Sequence, residues 1–158
     1  MKSSFFVVIL LLIYSSIAGA ADAPSVKNLG ANESLVVDYS TSGCFHSAQS
    51  IFIFTSGKVS IYSVERKSPE DKKEDAELNK KHLGDVELSD DEITRLDALF
   101  KFYADGPGGG CTTVDHIAVS AQKDGKVLKT YDFTDGSCTT FNKNTILTLG
   151  ELMGRVKK

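Results

Sequence analysis

Apolar side chains along this chain follow two patterns: short β-branched and aromatic runs, and stripes at helical spacing. Ile51–Phe54 and Lys58–Val64 flank Thr55-Ser56-Gly57. Two such runs around a Gly-containing turn read as a β-hairpin. If Phe54 pairs with Lys58, then Ile51, Ile53, Val59 and Ile61 share one face, and Phe52, Phe54, Tyr62 and Val64 share the other. A second hairpin joins Thr113–Ala121 to Lys126–Phe133 around Lys123-Asp124-Gly125. Pairing Gln122 with Lys126 gathers Ile117, Val119, Ala121, Val127, Tyr131 and Phe133 on one apolar face. Leu35–Tyr39 is a shorter strand candidate. Ile93, Leu96, Leu99, Phe100 and Tyr103 recur at helical spacing behind a Ser89-x-x-Glu92 capping box, and the helix should stop before Asp105-Gly106-Pro107. A second helix is expected from Thr145 to about Val156, capped by Asn144, with Ile146, Leu149, Leu152, Met153 and Val156 as its apolar stripe.

These elements predict an α+β fold: one antiparallel sheet made from two hairpins in β-β-α-β-β-α order, with two helices packed on one face. Residues 1–20 read differently. Lys2 precedes the apolar run Phe5–Ile13, and Ala18-Gly19-Ala20 supplies small residues before a cleavage point, which is the anatomy of a secretory signal peptide. Tyr14, Ser15 and Ser16 end the run well short of the ~20 apolar residues a membrane span needs. No later segment is apolar enough to span, so no membrane span is expected after cleavage. Residues 21–34 are polar and turn-rich, which predicts a flexible N-terminal segment; they include an Asn32-Glu33-Ser34 glycosylation sequon. Residues 35–158 then form a single domain. Within it, 65–82 is dense in charge of both signs and almost free of apolar residues, so it reads as a charged, solvated loop or a frayed helix. The same segment could act as a charged recognition loop.

Charge and cysteine content narrow the chemistry. Without Lys2 the formal net charge goes from −3 to −4, and a mildly acidic chain argues against a nucleic-acid partner. The cysteines are Cys44, Cys111 and Cys138. Cys111 and Cys138 are the disulfide candidates, because an Asp124-Gly125 two-residue turn sets them directly opposite each other. The Gln122–Lys126 register shifts them by one residue, a difference that a bulge at Gly110 or Gly136 would absorb. Cys44 bonded to either of them is the alternative; otherwise Cys44 is a free or reactive thiol.

No cofactor or metal is expected. Cys44, His46, Cys111, Asp115 and His116 could ligate a metal but match no diagnostic spacing. Gly108-Gly109-Gly110 leads into Cys-Thr-Thr and a strand rather than Lys-Ser/Thr and a helix, so it reads as a flexible connection and not a phosphate loop. His82 reads as a solvated side chain, and Asp132 and Asp135 as turn chemistry rather than an acid–base pair. No catalytic residue is assigned.

The run Gly43-Cys44, the stretch Ser56-Gly57-Lys58-Val59-Ser60-Ile61-Tyr62, and Leu88-Ser89-Asp90-Asp91-Glu92-Ile93 together resemble the layout of a family of small secreted bacterial domains of unknown function. The charged segment 65–82 departs from that layout. The resemblance implies a bacterial envelope setting and no activity. With export and a stable scaffold, the expected function is a secreted or periplasmic, non-enzymatic binding or inhibitory protein whose partner is another protein or envelope macromolecule. The segments 40–50, 65–82 and Asp105–Cys111 are its candidate recognition loops. The competing expectation is a thiol-dependent enzyme or redox protein that uses Cys44.

Overall fold

The computed structural model describes residues 22–44, 46–65 and 79–156, with His46 described by its backbone. The leader read at 1–20 and residues 66–78 of the charged segment lie outside the described residues. The elements in chain order are β1 (Glu33–Gly43), β2 (His46–Thr55), β3 (Lys58–Glu65), β4 (Asn79–Glu87), α1 (Asp90–Ala104), β5 (Val114–Lys123), β6 (Lys126–Asp135) and α2 (Leu149–Val156). The strands form one antiparallel sheet in the order β4-β3-β2-β1-β5-β6.

This corrects the expected two-hairpin, β-β-α-β-β-α arrangement. β1 is a full central strand that pairs β2 on one side and β5 on the other, from Glu33–Lys123 to Ser42–Val114. It fuses what would be two hairpins into a single six-stranded sheet. β4 is the other addition. Its Asn79–His82 start falls in the segment read as a solvated loop, and it pairs with β3 along an edge where most of its side chains face water.

Both hairpin registers also differ from expectation. Thr55 pairs with Lys58 around a two-residue Ser56-Gly57 turn, with Gly57 at φ 74°. Phe52, Phe54, Val59 and Ile61 therefore share one fully buried face. In the second hairpin Lys123 pairs with Lys126, and Asp124 and Gly125 take the positive φ values a tight turn of this kind requires. The pairing then slips once, from Gln122–Val127 to Ala121–Lys129, which leaves Leu128 as an extra residue. Ile117, Val119 and Ala121 consequently lie beside Phe133, Tyr131 and Lys129, and Val127 is displaced from the expected apolar face.

The buried sheet face and both helices form one core. Leu35, Val37, Phe52, Phe54, Val59, Ile61, Val86, Ile117 and Val119 pack with Leu96, Leu99 and Phe100 of α1 and Leu149 and Leu152 of α2. Phe54 meets Phe100 edge to face at 6.1 Å. Such fully buried aromatic and branched side chains each contribute roughly 1.5–3 kcal/mol. The Ser89–Glu92 capping box is present at the start of α1. α2 begins later than expected, because Thr148 and Glu151 form its cap: each side chain satisfies the other's backbone N–H. Residues 22–32 are tied to α1 at Asp97, which accepts from Ser25 Oγ at 2.6 Å and Val26 N at 2.7 Å, and Val26 enters the core. Among the described residues no helix is long and apolar enough to cross a membrane.

Candidate functional site

One end of the sheet collects most of the chemistry-bearing residues, and the strand register explains why. Ser42 of β1 lies opposite Val114 of β5, and Asp115 lies opposite Asp135 of β6. The β1–β2 turn, the loop before β5 and the chain leaving β6 are thus neighbours. Cys111 and Cys138 are at bonding distance there, with Cα atoms 5.6 Å apart. Cys111 N–H donates to Gly136 O at 2.9 Å, and Cys138 adopts a left-handed φ of 54°. Gly109 lies so close to the Gly136–Ser137 backbone that a Cβ on it would stand 2.2 Å from Gly136 O. The Gly-rich run is therefore a contact surface for another backbone as well as a connection. Cys44 is free and exposed at the β1–β2 turn.

Beneath this end, on the helix-covered face, Tyr39 Oη donates to Asp115 Oδ2 at 2.9 Å. Asp135 Oδ1 accepts from Ser137 N at 2.8 Å. The two carboxylates are directly opposed like charges, and among the described residues neither has a cationic partner. Tyr39 and Tyr103 feel this environment. Burial pushes both phenols well above the usual 10.0, and the nearby Asp115 charge adds to it in each case. Aromatic rings continue the surface: Tyr103 stacks on Phe133 at 6.2 Å and Phe133 on Tyr131 at 6.1 Å. An acidic pair framed by aromatic rings is suited to receive a cation.

The opposite face of the sheet carries a shallow groove of about 260 Å³ lined by Val36, Asp38, Ala118, Ser120, Thr130 and Asp132 among others. Asp38 is engaged there by Gln49 Nε2, 2.9 Å from each carboxylate oxygen. A second cleft of about 360 Å³ lies between the N-terminal segment, the β2–β3 turn and the start of α1, with Val26, Leu29, Leu88 and Ile93 on its walls.

The structure separates several residues that the sequence grouped as potential metal ligands. Cys111 is bonded to Cys138, and the successive strand residues Asp115 and His116 project to opposite faces. His116 Nδ1 lies 3.5 Å from Thr134 Oγ1. Among the described residues no three His, Cys, Asp or Glu side chains are placed to hold a metal ion. His82 is more than a solvated side chain: it sits opposite Tyr62, with ring centroids 5.0 Å apart, and contacts Asp85 at 3.1 Å. Lys58 reaches the same Asp85 at 2.8 Å; hydrogen bonds from Lys58, Ser60 and His82 hold that carboxyl well below its usual 3.8. Asp132 is a mid-strand residue on the open face, whereas Asp135 does make the Asx-type turn. The Asp115–Asp135 opposition escapes sequence reasoning, because the Gln122–Lys126 register sets Asp115 against Phe133. No family model, curated protein or solved structure matches this chain.

Proposed function

We propose that this chain is an exported binding or inhibitory protein that engages another macromolecule through the disulfide-tied end of its sheet. The observation that carries the reading is the convergence of two candidate recognition segments, 40–50 and Asp105–Cys111, at that end, with the second held by the Cys111–Cys138 pair and the Gly109–Gly136 contact. Loops fixed on a rigid sheet lose little further freedom on binding, which favours affinity. The leader-like 1–20 segment and the cysteine pair support an oxidising compartment, secreted or periplasmic. A photo-crosslinking side chain placed at the exposed Thr112, with a control at exposed Asp124 at the other end of the sheet, tests the assignment in the producing cells. A discrete adduct from 112 alone supports it; adducts of equal yield from both positions, or none from 112, sink it.

A second reading makes Cys44 the centre of a thiol-dependent enzyme or redox protein. Its support is that Cys44 is exposed and outside the disulfide. That reading requires thiolate at neutral pH. Alkylation of Cys44 that rises only with a midpoint near the ordinary ~8.5 removes it.

A further inference from the structure

The outer edge of β6 ends the sheet, and its chemistry is self-complementary. Among the described residues β6 pairs only with β5, and no backbone hydrogen bond engages its outward side. Its first part is poorly suited to further pairing. Leu128 is the extra residue of the bulge, Val127 and Leu128 are 56 % and 65 % exposed, and Lys126 adds charge. Bulges and edge lysines discourage strand addition. The stretch Lys129–Asp135 has no bulge, and its pairing with β5 is regular throughout. Lys129, Tyr131, Phe133 and Asp135 lie on the helix-covered face, opposite Ala121, Val119, Ile117 and Asp115.

We propose that Lys129–Asp135 is a homodimer edge, at which β6 pairs antiparallel with β6 of a second copy about a twofold axis at Asp132. A twofold axis normal to the sheet keeps each side chain on its own face, so only residues sharing a face can oppose each other. Within the bulge-free stretch, one register then gives Asp135 a cation. It sets Lys129 opposite Asp135 of the second copy, Thr130 opposite Thr134, and Tyr131 opposite Phe133. Leu128 falls opposite Gly136, which has no side chain to crowd it. Each pairing occurs twice. The arriving Lys129 reaches the acidic Asp115–Asp135 pair, which has no cationic partner among the described residues, exchanging its own intrachain partners, Asp22 and the Tyr131 ring, for it. Aromatic and Thr–Thr cross-strand pairs add to the contact. The register has one unfavourable element, Asp132 against its own copy, and this makes the proposal sharply testable.

Sedimentation velocity over a concentration series, at low and high salt, reads the association. The wild-type chain should form a reversible dimer that 1 M salt weakens. Lys129→Asp and Asp135→Lys should each raise the dissociation constant about tenfold or more, and the double swap K129D/D135K should restore it. Asp132→Asn, an exposed and conservative change, should tighten the dimer. Thermal melts of each variant separate loss of association from loss of fold. A wild-type chain that stays monomeric to ~1 mM overturns the proposal. So does a double swap that folds but does not restore association, or Asp132→Asn leaving the constant unchanged.

Discussion

The two edges of the sheet solve the same problem differently. Each presents a row of backbone groups that another strand could join. The C-terminal part of β4 is covered by its neighbours: α2 packs against it, Arg155 Nη2 donates to Glu87 O at 3.1 Å, and Val156 sits against Gly84. Its one internal carboxylate, Asp85, is held by Lys58 and His82. β6 has a disulfide just beyond its end, a bulge near its start and, where Asp135 meets Asp115 of β5, an acidic pair without a cationic partner among the described residues. The carboxylate of the β4 edge therefore has its cation within the chain, whereas among the described residues the carboxylates at the end of the β6 edge have none, and a partner could supply it.

The largest effect should come from releasing the end of β6. The Cys111–Cys138 bond closes a loop with a sequence separation of 27, for which the chain-entropy account gives about 3–4 kcal/mol. Cys111→Ser with Cys138→Ser should lower unfolding free energy in urea by roughly that amount. Hydrogen exchange should show β6 losing protection before β4. Equal loss at both edges would mean that the sheet opens as one unit and that the contrast between its edges is only geometric.

On the β4 side the matching change is Gly84→Ala. Gly84 has φ 156°, and a Cβ there would meet Val156 Cγ1 at 3.1 Å. Backbone strain and displacement of α2 together should cost about 1–3 kcal/mol. The double variant Gly84→Ala/Val156→Ala would recover part of that loss if the α2 contact, and not the backbone, is the main cause.

A smaller effect, also on the β4 side, comes from acid. Ser89 N–H donates to Glu92 at 2.9 Å and lowers its carboxyl below the usual 4.5; the Ser89 hydroxyl and Arg155 add to this. A lowered folded-state value means that the stabilisation is present above pH 4.5 and is lost as pH falls through the folded value. Asp85 behaves in the same sense at lower pH. Unfolding free energy should therefore decline below pH 4.5, and Glu92→Gln should flatten the upper part of that decline. Ser89→Ala, which removes the cap itself, should cost about 1 kcal/mol at pH 7. An unchanged pH profile in Glu92→Gln would show that acid acts elsewhere.

These contrasts were unequally legible in the sequence. The core of α1 and its cap were readable because Ser89, Glu92 and the stripe Ile93–Tyr103 combine two independent signals. β4 was hidden because an edge strand pairs on one side only and can expose Asn79, Lys80, Lys81 and His82 without penalty. Its strand character comes from β3 beside it and not from its own composition. The full reach of β1 was hidden likewise, since Ser40-Thr41-Ser42 carry no apolar alternation. At the candidate site, hairpin arithmetic brought Cys111 and Cys138 into view. Asp115 and Asp135 stayed out of view, because their opposition depends on the single extra residue Leu128.

The smallest prediction bears on that same pair and has the opposite sign. Asp115→Asn keeps an oxygen to accept from Tyr39 Oη and removes one of two opposed like charges. The isolated chain should gain up to ~1 kcal/mol, since like charges directly across a sheet destabilise by a few tenths to one. The gain should shrink as salt rises, because the repulsion is screened. If β6 meets a second copy, the same substitution should weaken association, because the arriving Lys129 would then face one carboxylate where it had two. A variant that melts higher at dilute concentration yet dimerises less tightly would show that the acidic pair is kept at a cost to the single chain for the sake of its edge. A variant that gains in both would leave the pair as a residual repulsion with no role at the interface.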